Sequence, residues 1–184
     1  MDNAEPVVGS EFTASIATKS AILASGGETL ELAIAMLENK DLLADYPFGD
    51  CKTGDAANFG IYKMNWYMIK RCPSAMPLIG SNPASSVSTG VGKAINSDAM
   101  LATKILLEAM KRWPTDAPDP TKPVSNNFWA GHRWGQSGLD NRPDTNWGDI
   151  QRYYLSVQAI KAKCDLEATV WTTDVRYWVD VPAV

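Results

Sequence analysis

Two carboxyl side chains stand out by type and surroundings. Glu38 is the first acidic residue after an almost wholly apolar run, Leu30, Leu32, Ala33, Ile34, Ala35, Met36 and Leu37. Desolvation at the end of such a run favours a protonated carboxyl. Asp50 sits in the polar, glycine-bounded stretch Gly49-Asp50-Cys51-Lys52-Thr53-Gly54, where an ionised carboxylate stays solvated. Hydrolysis of a glycosidic bond needs such a pair, one group to protonate the leaving oxygen and one to activate water or attack directly. Pattern alone is weak support. A Glu at a helix end is usually a solvated surface residue, and an Asp after Gly is usually a turn former.

The elements that must position this pair follow from periodicity. Residues 29–37 are apolar on nearly every face, which predicts a buried helix entered through Gly26-Gly27. Residues 46–55 read as loop and turn. Phe59, Tyr62, Trp66 and Ile69, three and four apart, predict a helix over 56–70. Residues 73–92, rich in Ser, Pro and Gly, are expected to be irregular. Ser97 is the expected N-cap of a long helix running to about Arg112 and stopped by Pro114. Residues 114–126 carry four prolines and form a connector, and 131–146 are expected as loop. A helix over 149–163 puts Ile150, Tyr153, Tyr154, Val157 and Ile160 on one face. Alternation of Val175, Tyr177, Val179 and Val181 predicts a strand. The fold class is mainly α with a little β (α+β).

Bulk properties narrow the function. The chain has 184 residues, 45% hydrophobic and 21% charged, with a formal net charge of −4. That is one ordinary globular domain, without the basic run expected of a nucleic-acid binder or a membrane-surface anchor. No apolar stretch is long enough for a transmembrane helix. Gly9-Ser10-Glu11-Phe12 looks like a cloning-site scar, so residues 1–12 are read as a tail outside the fold and 13–184 as a single catalytic domain. No signal peptide is visible, which fits a cytosolic protein or one whose signal has been removed; the expectation taken is a secreted, extracellular protein. Of three cysteines, Cys51 and Cys72 are expected to pair, the alternative being three buried free thiols. His132 is the single histidine, which excludes HExxH-type metal sites, and no CxxC spacing exists. Gly90-Val91-Gly92-Lys93-Ala94 lacks phosphate-loop spacing, and Asp144-Thr145-Asn146-Trp147-Gly148 lacks calcium-loop spacing.

Several longer motifs carry a resemblance. The stretch Lys52-Thr53-Gly54-Asp55-Ala56-Ala57-Asn58-Phe59-Gly60-Ile61-Tyr62-Lys63-Met64-Asn65-Trp66 resembles a signature of the β-1,4-mannanases of glycoside hydrolase family 134. So do Phe128-Trp129-Ala130-Gly131-His132-Arg133-Trp134-Gly135, Met36-Leu37-Glu38 and Tyr46-Pro47-Phe48-Gly49-Asp50. The similarity runs from about residue 20 to the C-terminus and is strongest over 36–71 and 126–155. In that family the catalytic Glu precedes the catalytic Asp by twelve residues, the separation of Glu38 from Asp50. Met64 and Tyr67 depart from the family pattern, where Gln and Gly are common, and both bear on the groove walls.

The resemblance implies a lysozyme-like fold and endo-acting hydrolysis of β-1,4-mannan with inversion and no cofactor. Glu38 would be the general acid and Asp50 the base for an attacking water, about 6.5–9.5 Å apart to admit it. Asp55, a rival to Asp50, could equally cap a helix; the twelve-residue spacing decides for Asp50. Tyr46, Asn58, Asn65, Trp66, His132, Arg133 and Trp134 are the expected substrate-binding residues, with Trp147 near the same motifs. Trp113 and Trp178 are expected in packing, the usual fate of aromatics. The implied partners are β-1,4-mannan and manno-oligosaccharides, acted on by a monomer. The rival readings are a lysozyme- or chitinase-type hydrolase of N-acetylated glycans, and a non-catalytic carbohydrate-binding or effector protein.

Overall fold

The computed structural model describes residues 6–80, 84 and 86–180. Its centre is the predicted apolar helix, here Thr29–Glu38 (α2), following a first helix Ile16–Ala24 (α1). Leu32, Ala33, Ile34, Ala35 and Met36 of α2 have no exposed surface. α2 packs most extensively on a long helix near the C-terminus, Trp147–Leu166, which sends Ile150, Tyr153, Val157, Ile160 and Cys164 into the core. Numbered in chain order, the remaining helices are Trp66–Ile69 (α3), Met76–Ile79 (α4), Thr89–Ser97 (α5), Ala99–Arg112 (α6) and Phe128–Leu139 (α7), which makes the long one α8. α6 packs on α1 and α5, and α7 on α8. Among the described residues the β content is two antiparallel pairs. Gly9–Phe12 (β1) pairs with Val175–Trp178 (β4), and Asn58–Phe59 (β2) with Met64–Asn65 (β3). The architecture is mainly α with a little β, as the hydrophobic pattern predicts.

Local structure departs from expectation in definable ways. The expected helix over 56–70 is a short hairpin, with α3 covering only its end. Gly60 (φ 74°) and Lys63 (φ 46°) turn the chain between the strands, and the Asn65 side chain accepts from the Met68 N–H to start α3. Phe59, Tyr62, Trp66 and Ile69 are all in the core, so their spacing reports burial correctly while misreporting conformation. The stretch expected to be irregular over 73–92 holds α4 and the start of α5. Ser97 ends α5, and Asp98 caps α6 by accepting from the Leu101 N–H at 2.9 Å. α7 occupies half of the expected loop over 131–146. Residues 9–12, read from the sequence as a tail outside the fold, form β1. Val181 lies outside the described residues. The expected Cys51–Cys72 bridge is absent: all three thiols are free, Cys51 exposed, Cys72 and Cys164 buried. The Cys72 thiol points into the core and donates to the Met68 carbonyl.

The C-terminal segment is tied down at two points. Arg176 donates from Nε to the Met36 carbonyl at 2.8 Å, supplying one of the partners that a helix C-terminus lacks. Lys19 is wholly buried, and its ammonium donates to the carbonyls of Val170, Thr173 and Val175 at 2.6–2.8 Å. Burial pushes this lysine down to about 8. Lys19→Met removes the donor from three carbonyls at once. We expect about 3 kcal/mol of lost stability, read as a fall of roughly 6–12 °C in Tm by circular dichroism. An unchanged Tm would mean that desolvating the ammonium offsets all three bonds.

Candidate active site

A cleft of about 370 Å³ opens where the C-terminal end of α2 meets the β2–β3 hairpin and α7. Glu38, the last residue of α2, lines it with a largely buried side chain. Its Oε1 accepts from the Tyr153 hydroxyl at 2.6 Å, a contact between α2 and α8. Burial, and then the nearby Glu38 charge, push the Tyr153 phenol well above its ordinary range, so it acts as a neutral donor.

His132 also approaches this oxygen, with Nδ1 at 3.9 Å from Glu38 Oε1. Its Nε2 is 2.9 Å from the Tyr62 carbonyl. A carbonyl only accepts, so Nε2 carries the hydrogen and the neutral ring turns the Nδ1 lone pair toward Glu38. Burial holds the imidazole below its ordinary value, against the pull of Glu38 and the Tyr62 bond. The ring stacks on Tyr153 at 5.4 Å.

Asp50 occupies an unusual turn. Gly49, Asp50 and Cys51 all have positive φ, at 68°, 55° and 61°. Two non-glycine residues in succession in this region cost on the order of 1–3 kcal/mol each. A side chain at Gly49 would also crowd the Ala57 Cβ, 3.1 Å away. Lys63, on the hairpin turn, places Nζ 3.2 Å from Asp50 Oδ1 and 4.9 Å over the Tyr46 ring. Tyr46 donates to the Gly60 carbonyl at 2.7 Å. Burial first, then the charges of Asp50 and Glu38, push this phenol up, so it lies within electrostatic reach of both carboxyls.

Asp50 itself is not among the residues that line the cleft; Lys63 and Asn58, which adjoin its carboxyl, are. The Asn58 amide lies 3.5 Å from Asp50 Oδ2. Turned the other way, it donates to the Ala56 and Lys63 carbonyls at 3.2 and 3.3 Å, which are better bonds. Lys63 is therefore the firm partner of Asp50. Asp55 also lines the cleft, with Oδ1 held by Lys70 at 2.5 Å.

The other expected binding residues divide. Asn65, His132, Arg133 and Trp134 line the cleft. Asn65 is already committed, donating to the Gly131 carbonyl at 2.7 Å as well as capping α3. Trp134 stands at a break in α7, where Gly135 adopts φ 56° and redirects the chain along the cleft. Asp149 of α8 accepts from both the Trp134 indole at 3.1 Å and Arg133 Nε at 3.0 Å, fixing this wall. Trp66, expected in the groove, is core: it is 1% exposed, packs edge-on against Phe59 and donates to the Ala84 carbonyl. A ring buried in this way has no face to offer a ligand. Trp147 is likewise buried and donates to Asn141.

Nothing in the sequence singles out Tyr153, Lys63 and Asp149 as site residues. Tyr153 carries only a packing signal, because its partner is 115 residues away. Lys63 lies inside the matching motif, but its role depends on a hairpin that the spacing disguises as helix.

The His132 geometry sets a pH dependence. Its folded value lies below the unfolded value of about 6.5. The unfolded chain therefore binds more protons below that pH, so this contribution is complete above about 6.5 and is lost as pH falls. Urea midpoints at pH 7 and about pH 5 should fall further for the wild type than for His132→Gln, which keeps a donor for Tyr62. Equal falls would assign the dependence to other groups.

The family described as Glycosyl hydrolase family 134 matches residues 17–181, which includes every cleft residue named above. No curated protein matches the chain. The chain belongs to glycosyl hydrolase family 134.

Proposed function

We propose that this glycoside hydrolase is a secreted, endo-acting β-1,4-mannanase that inverts anomeric configuration, with Glu38 as general acid and Asp50 as general base. The observation that carries this reading is the contrast between the two carboxyls. Glu38 accepts from the neutral Tyr153 hydroxyl and lies 3.9 Å from the His132 ring. Asp50 is salt-bridged to Lys63, the natural partner of an ionised carboxylate. A proton donor on one side of the bond and a charged acceptor on the other suit a single displacement.

In that displacement Glu38 protonates the glycosidic oxygen as the bond to the anomeric carbon breaks. Water adds to that carbon from the opposite face and gives its proton to Asp50. Trp134, with its indole edge anchored by Asp149, offers an aromatic surface for a sugar ring, and Arg133 and His132 adjoin it along the cleft. No cofactor enters this scheme. The helical fold with a small hairpin beside the cleft is in keeping with the lysozyme-like architecture, and the reading takes the enzyme as a monomer acting on β-1,4-mannan and manno-oligosaccharides.

Glu38→Gln and Asp50→Asn should each lower kcat on mannan by on the order of 10²–10⁴ while manno-oligosaccharide still binds by calorimetry. Asp55→Asn should stay active; a reversed result for the two aspartates would move the base to Asp55. NMR of the first products should show the α-anomer, and a β-anomer would mean retention. Release of reducing sugar from chitin or bacterial walls, with mannan inert, would transfer the activity to N-acetylated glycans.

A further inference from the structure

A general acid must present its proton from one oxygen along one line. A glutamate at the end of a helix has three side-chain torsions to fix before it can do so. Tyr153 is the group that fixes them. Its hydroxyl donates to Glu38 Oε1 at 2.6 Å, and its ring has almost no freedom of its own. His132 stacks on one face at 5.4 Å, the Arg133 guanidinium lies 5.5 Å from the centroid, and Trp129 is at 6.4 Å. The backbone beneath it belongs to α8, which lies along α2 itself.

We propose that Tyr153 is a positioning residue for the acid step: by occupying Oε1, it makes Oε2 the oxygen that carries and delivers the proton. This rests on the reading of Glu38 as general acid. The His132 ring adds to the asymmetry. Its Nδ1 is a lone pair rather than a donor, so Oε1 receives one hydrogen bond, from Tyr153, and the ring serves as the surface against which Tyr153 is held. In the step itself the Oε2–H bond breaks and its proton passes to the glycosidic oxygen. The C–O electron pair leaves with that oxygen, and the water that adds to the anomeric carbon gives its proton to Asp50. Tyr153 neither gains nor loses a proton. It keeps its hydrogen throughout and strengthens its bond to Oε1 as the negative charge of the carboxylate develops.

The test compares leaving groups. Mannan leaves as a sugar alkoxide that needs the proton, whereas 2,4-dinitrophenyl β-mannotrioside leaves as a stable phenolate that does not. Tyr153→Phe should lower kcat on mannan by about 10–100-fold, the loss of one hydrogen bond to a charging group. The loss on the aryl substrate should be at least about tenfold smaller, with KM on mannan changed by less than about threefold. Equal losses on both substrates would make Tyr153 a packing residue and overturn the proposal.

Glu38→Ala, assayed in parallel, keeps the two readings apart. If it shows the leaving-group split and Tyr153→Phe does not, Glu38 remains the acid and the positioning proposal fails alone. If Glu38→Ala shows no split, the acid reading fails first. Should Tyr153→Phe not fold, Tyr153→3-fluorotyrosine preserves shape and sharpens the donor. A stronger bond to the carboxylate should move the alkaline limb of the kcat profile to lower pH; an unmoved limb overturns the proposal.

Discussion

The site depends on one constraint: α2 has no solvent-facing side. Five successive residues of this helix are completely buried, each large one worth about 1.5–3 kcal/mol against exposure. A charge within such a helix needs a fixed partner, as Glu31 has in the Glu28 N–H that closes the capping box at its start. Its first acidic side chain after the apolar run must emerge at its end, and that end is where the cleft begins. The packing that buries α2 also determines what surrounds Glu38. α8 lies against it and supplies Tyr153, while β4 crosses the last turn and supplies Arg176 to the Met36 carbonyl. Lys19 binds the chain just before and within β4 into the same unit. Glu38 is thus mounted on an element held by core packing on one side and by hydrogen bonds from α8 and β4 on the other.

The opposite wall is built on different terms. Asp50 is carried by a turn in which three consecutive residues have positive φ, a conformation with an intrinsic cost that the surroundings must offset. The offset comes from the hairpin. Lys63 pairs with the carboxylate, Tyr46 lies beneath the ammonium and donates to the Gly60 carbonyl, and Asn96 accepts from the Gly60 N–H. One side of the cleft is therefore set by core packing and the other by a small polar network. Mutations should divide accordingly, with changes behind Glu38 felt throughout the core and changes around Asp50 felt in one loop.

This division also explains what the sequence discloses. The environment of Glu38 was legible because it is local: seven apolar residues and then a carboxylate describe a buried helix ending at a polar site. The α8 core face was legible for the same reason. Tyr153 was not, since nothing in its neighbourhood distinguishes a tyrosine that packs from one that also donates to a carboxylate 115 positions away. The hairpin is disguised because Phe59, Tyr62, Trp66 and Ile69 sit at helical spacing and are all buried. Hydrophobic spacing reports which residues are inside, and the turn at Gly60 and Lys63 brings them inside by another route. Proximity to a motif places Trp66 in the groove, although a tryptophan's size makes core burial its stronger tendency. The Lys19 cage had no local signature, because its acceptors are backbone carbonyls some 150 residues away.

Under the proposed mechanism a lysine beside the base looks at first like a handicap, since an ammonium stabilises the carboxylate that must accept a proton. The geometry limits that effect. The Lys63–Asp50 pair is about a quarter exposed on each side and 3.2 Å long, and exposed pairs of this kind are worth at most about 1 kcal/mol. That is enough to orient a carboxylate and too little to silence it. With the Asn58 amide turned to the Ala56 and Lys63 carbonyls, Lys63 on Oδ1 remains the firm partner, so under the proposed mechanism Oδ2 is the oxygen with room to receive a proton from water. By contrast, the partner of Glu38 is a neutral hydroxyl. The two carboxyls differ less in where they sit along the chain than in the charge of the single group that holds each one.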